Sequence, residues 1–156
     1  AHQVGLPFSL RPLLAGWKLL FFKEGAFKPR PGISPEINRG AYLVDHVAHC
    51  GECHTPRNFA GAMDRGRWLA GTADGPGGER VPNITPDKAT GLGDWSIASI
   101  VALLKDGTKP DFDNVQGTMA EAIDYGLKYL TEADHQAMAA YVKSVSPVVH
   151  KVAKKN

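Results

Sequence analysis

Cys50-Gly51-Glu52-Cys53-His54 sets two thiols three residues apart, with an imidazole directly after the second. Two thiols at that spacing near a helix end can reach the two vinyl groups on one side of a porphyrin. The next residue then lies against the ring face, where its imidazole can bind iron. C-x-x-C-H is the pattern of covalent c-type haem attachment. Three other chemistries also use paired cysteines. A thioredoxin-like dithiol needs a preceding buried strand in a βαβ unit, and the segment before Cys50 reads as helix. A zinc site would enlist His46 or His49, which sit too close to the cysteines for separated ligand pairs. A disulfide across C-x-x-C would be strained. Attachment of a macrocycle is the chemistry the spacing fits best.

An iron held by His54 has a second face. The candidates for it are Met63, Met119, Met138, His2, His46, His49, His135 and His150. His46 and His49 belong to the attachment helix and cannot easily cross to the opposite side. Met63 follows His54 by only nine residues, a tight wrap. Met138 falls on a helix face with Ala133, Ala137 and Tyr141 and is expected to fill the core. His135 and His150 are expected at the surface. Met119 is read in a loop ahead of a short helix, from which it can swing over the ring, and is the favoured residue.

These residues need elements to position them. Ser9 is expected to cap a helix over 10–22, with Pro12 in its first turn. Residues 25–35 carry Pro29, Pro31 and Pro35 and read as an extended linker. Ser34 then caps a helix running to about Ala48, with Ile37, Ala41, Val44 and Ala48 on one face. Residues 51–56 read as a turn. Residues 59–91 are rich in Gly, Asp and Pro without a period, and read as one long wrapping loop. A loop of that length argues against ordinary packing unless something fills the space it encloses. Asp94 is expected to cap a helix to Asp106, which Gly107 stops. A short helix over 120–126 follows. Thr131 caps the last helix, which runs to about Val145 with Pro147 beyond it.

Composition bounds the reading. The chain has 156 residues, which fits one domain with an extra arm. Hydrophobic residues make up 43% and charged residues 22%, a globular balance. The 17 glycines and 11 prolines are many for a helix bundle and predict long ordered loops. Two cysteines exclude a disulfide-dense scaffold and a four-cysteine metal cluster built by this chain alone. The net charge of +2 is too small to suggest nucleic-acid binding. It is unevenly spread: residues 1–35 and 135–156 are basic, and the stretch between them is acidic. Asp106, Asp111, Asp113, Glu121 and Asp124 gather in sequence around Met119 and are expected to form a negative rim that docks a basic partner. The longest apolar stretch, 13–22, is too short to span a bilayer and contains Lys18. No signal peptide is recognisable, and the start at Ala1 fits a mature or excised chain.

With these motifs in place, the chain resembles class I c-type cytochromes over roughly 34–147. It is most similar to the haem domains in cytochrome subunits of bacterial membrane-bound alcohol, gluconate and related dehydrogenases. The residues carrying the likeness are Asn38-Arg39-Gly40-Ala41-Tyr42-Leu43-Val44 and the run from Cys50 to Asn58. Val81-Pro82-Asn83-Ile84-Thr85-Pro86-Asp87, the stretch from Thr90 to Ser96, Leu130 to Asp134 and Ala139 to Val142 complete it. Pro7 to Trp17 resembles the segment that precedes a later haem domain in multi-haem subunits. Such subunits carry three attachment motifs and often a C-terminal anchoring helix; this chain has one motif and shows no such helix.

The resemblance implies an all-α cytochrome c fold: three main helices and long loops wrapped around a covalently bound haem, with an N-terminal helical arm. It divides the chain into an arm and linker (1–33), a mono-haem domain (34–147) and a basic tail (148–156). It implies one haem c, bound through thioethers at Cys50 and Cys53, with His54 and Met119 as axial ligands. Gly40 would let the first core helix cross closely over the last, near Tyr141. The Pro82 carbonyl would accept the Nδ1–H of His54. Asn83, Arg80 and Trp95 would be haem-edge or propionate partners. Trp95 reads equally as a buried aromatic, and Arg57 as a propionate partner or a surface charge.

The implied function is one-electron transfer between a dehydrogenase, or its partner haem domain, and a respiratory-chain acceptor. The chain would then be a carrier and not itself an enzyme, in a bacterial periplasm, soluble or held to the membrane by a partner. A haem sensor or haem enzyme is the competing class; both need a displaceable or open sixth position.

Overall fold

The computed structural model describes Gly5 and residues 9–153. Among these residues the regular structure is helical, joined by long loops and by three isolated antiparallel bridges. The helices are α1 (Arg11–Phe21), α2 (Pro35–Tyr42), α3 (Gly51–His54), α4 (Ile97–Asp106), α5 (Gly117–Tyr125) and α6 (Glu132–Ser144).

Local chemistry sets the helix ends. Ser34 Oγ accepts from the Ile37 amide at 3.2 Å, and Pro35 occupies the first turn, where its missing N–H costs nothing. Thr131 Oγ1 accepts from Asp134 N at 3.1 Å and starts α6. Gly107 ends α4 at φ 81°, a left-handed conformation that glycine adopts without a Cβ penalty.

Several expected boundaries differ. Leu10, not Ser9, is the residue before α1, and it offers no side-chain cap. Ser96, not Asp94, caps α4, accepting from Ser99 N at 3.0 Å. The helix expected to run unbroken to Ala48 leaves α geometry after Tyr42 and widens into a π turn over Leu43–Val47. The stretch read as a turn at 51–56 contains one full helical turn, α3. α5 begins at Gly117, so Met119 lies in its first turn and not in a loop.

The core forms where α2 and α6 cross and α4 packs on α6. Ala41, Val44, Ile100, Met138, Ala139 and Val142 are all buried there. The crossing is tight. A Cβ built on Gly40 would lie 2.0 Å from the Ala137 carbonyl oxygen and 2.7 Å from Tyr141 Cβ. On the outer side, Arg39 reaches Asp134 at 2.7 Å and holds its carboxyl below the usual carboxylate range. Lys143, near the end of α6, donates to the carbonyls of Leu92, Gly93 and Trp95 at 2.8–3.2 Å. It ties the approach to α4 onto the last helix.

The arm stands apart from this core. No residue of α1 is buried, and Leu19 and Leu20 are exposed. Its recorded anchor is the Trp17 indole, whose Nε1 donates to the Ala60 carbonyl at 2.8 Å.

Gly40→Ala should cost about 3 kcal/mol or more, because the new methyl meets backbone that cannot turn aside. Gly16→Ala in α1, where a Cβ meets nothing within 4 Å, should leave unfolding of the core unchanged. Denaturant titrations of the two variants check this.

Candidate haem-attachment site

The π turn delivers the chain to the site. Ala48 N bonds back to Leu43 O at 2.8 Å and Cys50 N to Val44 O at 2.9 Å. His49 takes a positive φ of 40° and redirects the backbone into α3. Cys50 and Cys53 then stand three residues apart on a single turn, both as free thiols. Residues at i and i+3 share one face of a helix, so both sulfurs can address one side of a planar ligand. Gly51 between them carries no Cβ for a reason: such an atom would lie 2.0 Å from the ring of Trp68.

Burial makes these thiols poor redox groups. It pushes Cys50 up to about 12 and also raises Cys53. Exchange chemistry needs a thiolate, and raised thiol pKa values work against forming one. Among the described residues no group of three or more His, Cys, Asp or Glu side chains is placed to hold a metal ion by itself.

His54 closes the turn and is 7% exposed. Burial keeps its imidazole neutral, opposed by a hydrogen bond with the Pro82 carbonyl. Nδ1 lies 2.9 Å from that oxygen. A carbonyl only accepts, so Nδ1 carries the proton and Nε2 keeps its lone pair for a metal. A short ladder brings Pro82 to this place. Thr72 and Val81 exchange backbone bonds of 2.9 and 2.8 Å, and Ile84 N donates to Leu69 O at 3.0 Å. Gly71, next to that bridge, donates its N–H to His54 O at 2.6 Å. A Cβ on Gly71 would collide with the Pro82–Asn83 peptide at 2.5–2.6 Å, and its φ of 81° favours glycine as well.

Ile84, Leu92, Trp95, Val115 and Met119 are each half-buried and pack on the core cluster, apolar side chains that the core does not cover completely. Two thiols on one turn and a neutral imidazole with a free Nε2 fit a thioether-linked haem.

Comparison with known proteins bears on the same point. No family model matches the chain. It is 41% identical over 152 residues to the diheme cytochrome c-type protein of Cereibacter sphaeroides, covering 94% of this chain and 48% of that protein. It is 44% identical over 148 residues to the fructose dehydrogenase cytochrome subunit of Gluconobacter japonicus, covering 92% of this chain and 29% of the relative. The cytochrome c subunit of alcohol dehydrogenase (quinone) from Gluconacetobacter polyoxogenes is 38% identical over 153 residues, with 94% and 32% covered. The chain belongs to the c-type cytochromes. Its all-α architecture of helices and wrapping loops is the cytochrome c fold. The cytochrome spans half or less of the length of these curated relatives.

The other expected site residues fall as follows. Met119 is half-buried on α5 and packs against the core cluster. Met138 is buried at 1% exposure inside the core. Met63 is half-buried, paired through its backbone with Arg57 in an isolated bridge. His46 is exposed and stacks on Tyr42. His49 is exposed at the bend before α3, and His2 lies outside the described residues. His135, expected at the surface, is instead buried at 1%, with Nε2 2.9 Å from Leu127 O. His150 is half-buried, with Nδ1 2.8 Å from Ala70 O.

Asn83 has no valence left for a propionate. Its Nδ2 donates to Thr90 Oγ1 and Val148 O at 2.9 and 2.8 Å, and its Oδ1 accepts from Thr85 N and Oγ1 at 2.9 and 2.8 Å. It clamps the loop that carries Pro82 to the segment after α6. That segment, read as the start of a tail, is pinned again where His150 N donates to Thr90 Oγ1 at 3.0 Å. Arg80 is exposed. Trp95 is half-buried against the core. Arg57 pairs with Glu52 at 2.6 Å and donates to Gly61 O, which braces the loop after α3. Sequence reasoning did not single out Trp68, Gly71 or Lys143. The ring under Gly51, the close approach at Gly71 and the lysine clamp all depend on partners distant in sequence.

Asn83→Ala should destabilise the protein by about 2 kcal/mol or more, since it strips partners from buried polar groups. Hydrogen exchange should accelerate at Thr85 and Val148, whose amides donate into this network. Unchanged exchange at both amides would show that the clamp lies elsewhere.

Proposed function

We propose that this cytochrome is a one-electron carrier holding a single haem c. Cys50 and Cys53 would form the thioethers, and His54 and Met119 would be the two protein ligands of the iron. The observation carrying the reading is the turn 50–54: two free thiols and a buried imidazole whose Nδ1 is committed to Pro82 O. The sequence contains one such motif, which supports one haem in this chain.

When bound, the haem supplies an Fe(III)/Fe(II) couple. The protein groups tune and shield it. Pro82 orients the His54 ring and raises the basicity of Nε2. The Met119 thioether is a soft, weak donor that favours the reduced state relative to a second imidazole. Burial of the haem among apolar side chains would disfavour the extra positive charge of the oxidised form. These influences point to a positive potential. With two protein ligands in place no position stays open for substrate, so the role is transfer and not catalysis at the iron.

The relatives are cytochrome subunits named for fructose and alcohol dehydrogenases. That supports passage of electrons from a dehydrogenase subunit, or a partner haem domain, to a respiratory acceptor. A periplasmic site follows from the same likeness; no described helix is long and apolar enough to cross a membrane. Residues 34–147 would form the haem domain, with 1–33 as arm and linker and 148–156 as tail. Arg80 and Trp95 remain the proposed haem-edge partners. The acidic residues around Met119 are exposed, but Lys109 pairs with Asp113 and Lys128 with Asp124 at 3.0 Å. The negative rim is thereby reduced to Asp106, Asp111 and Glu121, and salt dependence of docking should be modest.

Optical spectra of the purified protein test the ligation. The oxidised form should show the weak far-red band of an iron–methionine bond, and the reduced form should not bind carbon monoxide. Met119→Leu should abolish that band and admit carbon monoxide, while Met63→Leu should change neither. Carbon monoxide binding by the unaltered protein would move the reading to a sensor or haem enzyme.

A further inference from the structure

One cluster of buried polar groups has no part in the site described so far. Asp45 lies on the π turn, half-buried, five residues before Cys50. Its Oδ2 accepts a hydrogen bond of 2.7 Å from the Tyr141 hydroxyl of α6. Its Oδ1 is buried without a partner. A carboxylate with a purely structural role is expected to have both oxygens bonded, because an anionic oxygen left dry is costly.

Besides Tyr141, the charged and titratable groups bearing on Asp45 are Arg30, Arg65 and His46. Arg30 of the linker lies 5.6 Å from the centre of the Tyr141 ring. Arg65, from the turn over Arg65–Arg67, lies 4.7 Å from the centre of the Trp68 ring. His46 is its neighbour on the π turn. Arg30, Arg65 and His46 all favour the ionised carboxyl, as does the Tyr141 hydroxyl; burial opposes them and prevails, raising the proton affinity of Asp45 from its ordinary value. Cys50 N donates to the carbonyl of Val44, the residue before Asp45, at 2.9 Å, so a haem held at Cys50 would lie close to this carboxyl.

We propose that Asp45 is a redox-linked proton site, taking up one proton when the attached haem gains one electron and releasing it on oxidation. This rests on the reading of Cys50 and Cys53 as attachment points. The electron comes from the redox partner and the proton from solvent. The only bond formed is the O–H of the carboxyl group, and the net charge of the region stays constant. The direction follows from charge. Ionised Asp45 stabilises the extra positive charge of the oxidised haem and lowers the potential; protonated Asp45 does not. Linkage makes the effect reciprocal: reduction tightens the proton by the factor by which protonation favours reduction.

The test is a spectroelectrochemical titration of the haem-bearing protein from about pH 4 to about pH 8, a span that covers a raised carboxyl. The potential should fall as pH rises through the Asp45 window and level off on either side. Asp45→Asn, which keeps an acceptor for Tyr141, should be flat there and stay at the higher, acid-side value. Tyr141→Phe removes a bond that favours the carboxylate, so its slope should persist but move to higher pH. A flat profile in the unaltered protein, or a slope that survives Asp45→Asn unchanged, overturns the proposal and leaves the attachment site standing. A protein without covalently held haem on a denaturing gel overturns both.

Discussion

The hydrogen bond between His54 Nδ1 and the Pro82 carbonyl, 2.9 Å long, is the constraint on which the rest of the structure converges. It joins a turn fixed by the first core helix to a loop that has no regular structure of its own. A loop carbonyl orients an imidazole only if the loop is held. The fold supplies that from three sides. Gly71 bonds to His54 O and lies against the Pro82–Asn83 peptide; Asn83 spends its whole side chain on the loop and on Val148; Thr55 Oγ1 accepts from Leu69 N at 3.1 Å. The loop between α3 and α4 is thus ordered by hydrogen bonds to its own far ends, where a sheet would use ladder partners.

What the sequence revealed follows from which interactions are local. Ser34 with Pro35, Thr131 with Asp134, and Gly107 act within one turn, and the structure places all of them as caps and stops. The attachment motif is five consecutive residues and was equally legible. The misassigned features share the opposite property. Asp94 and Ser96 both suit a helix start, and Lys143 fixes the choice by binding Leu92, Gly93 and Trp95 from α6. The π turn has no composition of its own; it arises because the chain must leave α2 and still point two cysteines inward. His135 looked like a surface residue because histidine is polar, yet Leu127 O gives it a partner inside.

Charge shows the same division. Counted along the chain, the middle is acidic and the two ends are basic. In three dimensions much of that acidity is already answered: Asp134 by Arg39, Asp64 by Arg67 at 2.8 Å, Asp124 by Lys128. Exposed pairs of this kind add little stability. Their larger effect is on the field, so a partner meets a surface less negative than the sequence suggests.

Tyr141 links the packing of the fold to the electrostatics of its site. Its Cβ lies under Gly40, where two backbones approach too closely for a side chain, and its hydroxyl ends on Asp45, beside the turn that leads to Cys50. The helix crossing therefore determines which groups surround that carboxyl. A shift of α6 against α2 would loosen the core and also change how many hydrogen bonds an ionised Asp45 receives. A substitution at Tyr141 therefore alters the helix crossing and the surroundings of Asp45 together.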